Sequence, residues 1–87
     1  MAKYSCEGFR SVEARSVNDA ARAFARRAAF RALGRRGAVC VLRLAHWNNG
    51  GSWAEFSAFL GKPAREGGGM VGHNVTLYVT RCEGGRV

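Results

Sequence analysis

Two histidines, three cysteines and six acids are the side chains of this 87-residue sequence that could act as acid, base, nucleophile or metal ligand. Catalysis by any of them needs partners converging on one pocket, a nucleophile with its base or a pair of carboxylates. The spacing supplies no such set. His46 falls at the end of an apolar run and His73 in a glycine-rich stretch, and neither belongs to an H-E-x-x-H motif. Cys6, Cys40 and Cys82 include no C-x-x-C pair, so neither a zinc knuckle nor a thioredoxin-like dithiol is expected. Cys40 sits among Val and Leu and reads as an inert core thiol. Glu66-Gly67-Gly68-Gly69 has the composition of a phosphate-cradling loop but lacks the G-x-x-x-x-G-K-S/T order and a following helix. The expectation is a chain with no catalytic residues, no metal and no cofactor, one that acts by binding.

The residues that do form a pattern are the arginines. Fourteen Lys and Arg against six acids give a formal charge of +8. Such a balance argues for an anionic partner, and guanidinium forks suit phosphate and carboxylate better than ammonium does. GC-rich coding would account for the arginine excess equally well. The placement is more informative than the total: residues 1–43 carry ten cations and three acids, a net of +7, and the remainder nets +1. Arg22, Arg26, Arg27, Arg31, Arg35 and Arg36 follow one another closely, and what positions them is a helix.

That helix is well marked. Ser16 is a good N-cap with Asp19 three residues on, Gly34 is a stop, and Val17, Ala21, Phe24, Ala28 and Ala32 recur at helical spacing. Ala20 and Ala25 widen the stripe. The wheel turns Arg22, Arg26 and Arg27 away from it, sets Arg31 on its flank, and leaves Phe30 and Leu33 on the outer side. Phe30 beside arginines has the composition of an interface anchor.

Around the helix the pattern alternates as strands do. Lys3–Arg15 reads as two short strands about a turn at Glu7-Gly8, or as one bent strand. Ala38–Trp47 reads as a central strand with Cys40, Leu42 and Leu44 on one face and Val39, Val41, Arg43 and Ala45 on the other. Asn48–Ser52 is a turn, and Trp53–Leu60 returns with Ala54, Phe56, Ala58 and Leu60 facing one way. The stretch 61–72 reads as a flexible glycine-rich loop, Asn74–Cys82 as the last strand, and 83–87 as a loose tail. The fold class expected is α+β in two layers. An antiparallel sheet of four to five strands packs on one α-helix in the order β-β-α-β-β-β, as a single domain over 1–87. Trp47 and Trp53 bracket the hairpin turn, placed either to stack on bases or to pair across the strands. Arg43 would extend the basic surface over the open face of the sheet.

No apolar stretch reaches the roughly 18 residues of a membrane span, and the first residues lack the apolar core of a secretory signal. A cytoplasmic chain with reduced thiols is the expectation.

Val12-Glu13-Ala14-Arg15-Ser16-Val17-Asn18-Asp19-Ala20-Ala21, a strand ending in Glu-Ala, a Ser cap and an Ala-rich helix, resembles small phage-encoded type I anti-CRISPR proteins. Gly72-His73-Asn74-Val75 leading into a last strand is similar in style. The resemblance covers about half of the chain. It implies an inhibitor that docks on a subunit of a crRNA-guided effector complex in a bacterial host's cytoplasm and stops it from engaging target DNA. A basic inhibitor would seat its arginines against acidic residues or against nucleic acid held by the complex. The residues expected at the contact are Arg22, Arg26, Arg27, Phe30, Arg31, Arg35, Arg36, Arg43, Trp47 and Trp53. The helix followed by three strands is also similar to the double-stranded-RNA-binding family, without its C-terminal helix. The alternative function is a small basic module that binds DNA or RNA itself.

Overall fold

The computed structural model describes residues 1–48, 51–65 and 67–82. The tail proposed over 83–87 lies outside the described residues, as do Asn49, Gly50 and Glu66. The elements run β1 (Ala2–Cys6), β2 (Val12–Ala14), α1 (Val17–Leu33), β3 (Ala38–Trp47), β4 (Trp53–Pro63) and β5 (Met70–Arg81). A single 3₁₀ turn, Gly34–Arg36, follows α1 and is the one element the sequence pattern does not announce. All five strands pair antiparallel in one sheet of order β2-β1-β5-β4-β3, and α1 covers one face. This is the expected two-layer α+β arrangement.

The helix begins where a side chain can satisfy its first amides. Ser16 Oγ accepts a hydrogen bond from the Asp19 amide at 3.2 Å, and the Asp19 charge favours the positive end of the helix. It ends at Gly34, whose φ of +78° is open to glycine at little cost and whose N–H reaches the Phe30 carbonyl. The face against the sheet is Ala20, Ala21, Phe24, Ala25, Ala29 and Leu33. It is therefore rotated from the expected stripe: Ala29 replaces Ala28 at the centre, Ala32 is exposed, and Leu33 is buried rather than outward. Short side chains bring the helix backbone close to the sheet. The turn into β3 is tight for the same reason, since a Cβ on Gly37 would stand 2.6 Å from the Ala29 carbonyl oxygen.

Opposite the helix, β4 contributes Ala54, Phe56, Ala58 and Leu60, and β5 contributes Leu77 and Val79, on the alternation the sequence shows. Tyr4, Cys6 and Ala14 close the core from β1 and β2. Three expectations are corrected. The stretch 61–72 is not one loop, because Gly61–Pro63 and Met70–Gly72 stay paired across β4 and β5. Glycine and proline there sit at the end of a long ladder, where neighbouring strands supply the order that local propensity withholds. Next, β3 is an edge strand, not a central one. Its register slips between Val39 and Val41 and again between Leu44 and His46, so Cys40 and Ala45 are the extra residues of two bulges. The slips break the simple alternation: Val39 and Leu42 pack on the core, while Cys40 is exposed and is no core thiol.

The sheet outruns the helix. At about 1.5 Å per residue α1 is about 25 Å long, whereas β5, at about 3.4 Å per residue, is about 40 Å. The β4–β5 hairpin therefore projects beyond the C-terminal end of α1, and the molecule measures 48 × 22 × 19 Å.

Candidate docking surface

The outward row of arginines is present on the helix as expected. Arg22, Arg26, Arg27 and Arg31 are all exposed, and Arg35 and Arg36 continue the row in the 3₁₀ turn. Two of them are held by the main chain. Arg27 donates from Nη1 to the Arg10 carbonyl and Arg31 from Nη1 to the Gly8 carbonyl, each at 2.9 Å. Neither contact is an ion pair. Each guanidinium keeps its charge and most of its five N–H donors for a partner. The Arg31 guanidinium also lies 4.3 Å above the Phe9 ring, which in turn meets the buried Phe24 ring at 6.0 Å. Gly8, at φ +88°, shapes the β1–β2 turn that presents these carbonyls.

Between that turn and the helix runs an open groove of about 570 Å³, lined by Phe9, Arg10, Arg26, Arg27, Phe30 and Arg31. Phe30 is 62% exposed, so its ring is available to whatever enters. Phe9 and Arg10 are the members that sequence reasoning missed. Their place in the sequence reads as strand, and the signal for them is an aromatic beside an arginine immediately after the turn glycine. Arg31→Ala removes the hydrogen bond to Gly8 and the contact with Phe9. Its expected cost is about 1–2 kcal/mol, read as a lower midpoint in urea unfolding with an unchanged slope.

The remaining candidates lie elsewhere. Arg43 is register partner to Ser57 and faces away from the helix, on the open side of the sheet, so it does not extend the helix row. Trp53 packs beside His46, with ring centroids 5.5 Å apart, and edge-on to Tyr78 at 6.5 Å. Trp47 is opposite Ala54, and Trp53 is opposite Thr80. The two tryptophans are therefore not a cross-strand pair, because the hairpin register sets them on opposite faces of the sheet. On the open face Tyr78 is the cross-strand partner of Glu55, and the carboxylate beside its hydroxyl, as hydrogen-bond acceptor and as charge, raises the tyrosine pKa above its ordinary 10.0. Glu55→Gln should bring the Tyr78 titration, followed by NMR of its ring carbons, back toward the ordinary range. The stability this pair contributes is complete below pH 10.0 and is lost as pH rises through the raised value.

The two histidines are held apart on the sheet. His46 pairs with Glu55 on the open face and His73 with Leu60 on the helix side. Those positions are separated by five residues of β4, about 17 Å along the strand. Among the described residues no group of three His, Cys, Asp or Glu could hold a metal ion. Cys6 is buried, and that burial raises its thiol pKa and suppresses the thiolate. No helix among the described residues is long and apolar enough to cross a membrane. Comparison with protein-family models, with curated proteins and with solved structures gives no match, so the groove is read from its own geometry.

Proposed function

We propose that this chain acts by docking, as an inhibitor without chemistry of its own, and that the Arg–Phe groove is its contact. The observation that carries the reading is the pair of anchored arginines, Arg27 and Arg31, flanking the exposed Phe30 ring. Holding a guanidinium in place before binding removes part of the ordering cost of association. Arginine and aromatic side chains are the types that dominate interface energetics, and a fixed fork can accept a carboxylate on two parallel hydrogen bonds. The partner suited to such a groove is a protein surface that offers acidic side chains around one apolar or aromatic residue. The anti-CRISPR resemblance supplies a specific candidate, a subunit of a type I crRNA-guided effector complex whose engagement of target DNA would be blocked.

The test is a titration of purified effector complex with this chain, reading target-DNA binding by mobility shift and association by interferometry. Saturable association with loss of DNA binding supports the reading. Absence of association with the complex, together with tight groove-dependent binding to free duplex, replaces it with the nucleic-acid module.

A further inference from the structure

We infer that the projecting end of the β4–β5 hairpin holds a second anion site, one that takes a phosphate group of a nucleic-acid backbone. Arg36 from the 3₁₀ turn meets Lys62, Pro63, Ala64, Arg65 and Val71 of the hairpin around a groove of about 490 Å³. Three of the six lining residues are cations and none is an acid. Even with Glu66, which lies outside the described residues, set against them, the local balance is positive. Lys62 is half-buried, and Pro63, Ala64 and Val71 give the groove an apolar wall. Arg36 and Arg65 are exposed and screened by water, so the three like charges repel only modestly. An anion between them reverses the sign of that interaction.

The chemistry favours phosphate over carboxylate. Two guanidinium forks and one ammonium surround a single groove, a donor set suited to several oxygens on one centre. Unlike the groove at the β1–β2 turn, this one has no aromatic in its lining to anchor a protein side chain. Beside it Gly67, Gly68 and Gly69 follow with positive φ, so the main chain there carries no side chains to hold a polymer away. Arg35 and Arg36 carry positive charge from the end of the helix to the groove, and neither lines the docking groove. This site is independent of the docking groove, and it stands or falls separately from the proposed function.

The experiment measures anisotropy of labelled dT20 with the full chain across a salt series, comparing wild type, Lys62→Gln/Arg65→Gln and Lys3→Gln. Salt-sensitive binding is expected for wild type. The double variant should lose at least fivefold in affinity at 0.1 M salt, with the slope of log K on log salt reduced by about 0.7 for the phosphate no longer neutralised. Lys3→Gln removes an exposed cation that lines neither groove and should leave the slope at its wild-type value. Circular dichroism checks the fold. If the double variant melts early, Arg65→Gln alone, at an exposed position, should still lower the slope. The inference is overturned if dT20 does not bind, if the hairpin variants bind it with the wild-type slope, or if a polyglutamate peptide of equal charge binds as tightly at the same residues. That last result would assign the groove to an acidic protein.

Discussion

Phe24→Ala is expected to lower the melting temperature by at least about 12 °C, from a cost of about 3 kcal/mol or more and a sensitivity of about 4 °C or more per kcal/mol in a domain of this size. Phe24 is completely buried and, with Phe56, Leu60 and Val79, is among the largest side chains fully inside the core. Its helix neighbours in the core are mostly alanines, whose short side chains have no reach with which to refill the space, so the cavity term stays close to its full value. The change also removes the ring that supports Phe9, and with it the platform beneath the Arg31 guanidinium. Thermal unfolding followed by circular dichroism reads the effect. A shift under about 4 °C would mean that the helix is not seated on the sheet as described here.

The second large effect is on binding. Phe30→Ala combined with Arg26→Glu is expected to weaken association with the protein partner by at least a hundredfold, about 2.7 kcal/mol, while the melting temperature stays within about 2 °C. Both side chains line the groove and both are exposed. Reversing one guanidinium also leaves an acid facing the partner's acids, which adds repulsion to the lost attraction. Arg31→Ala, by contrast, should lower stability and affinity together, because that side chain both clamps the turn and lines the groove. A double variant with full affinity would move the contact to another surface.

The helix was legible from Ser16 to Gly34 because local chemistry decides its ends: a hydroxyl to cap, a glycine to stop. The inward faces of β4 and β5 were legible because their alternation is regular. What the sequence hid depends on partners distant in the chain. The bulges at Cys40 and Ala45 arise from pairing with β4 and turn an apparently buried thiol outward. The extension of the hairpin through Gly61–Pro63 rests on cross-strand pairing that outweighs the turn propensity of glycine and proline. Phe9 and Arg10 belong to the candidate site because the β1–β2 turn folds against Arg27 and Arg31, a contact between residues distant in the chain. The arginines themselves were visible; what held them was not.

The outer margin of β3 is ten residues long, mostly apolar, and bears a single charge at Arg43. A flat ribbon of that kind is a template on which further molecules could add, strand upon strand, toward fibrils. The two offsets in its ladder throw its amides and carbonyls out of line, and a guanidinium at mid-strand makes stacked copies repel one another. The irregularities that obscure this strand in the sequence thus also guard the molecule against its own kind.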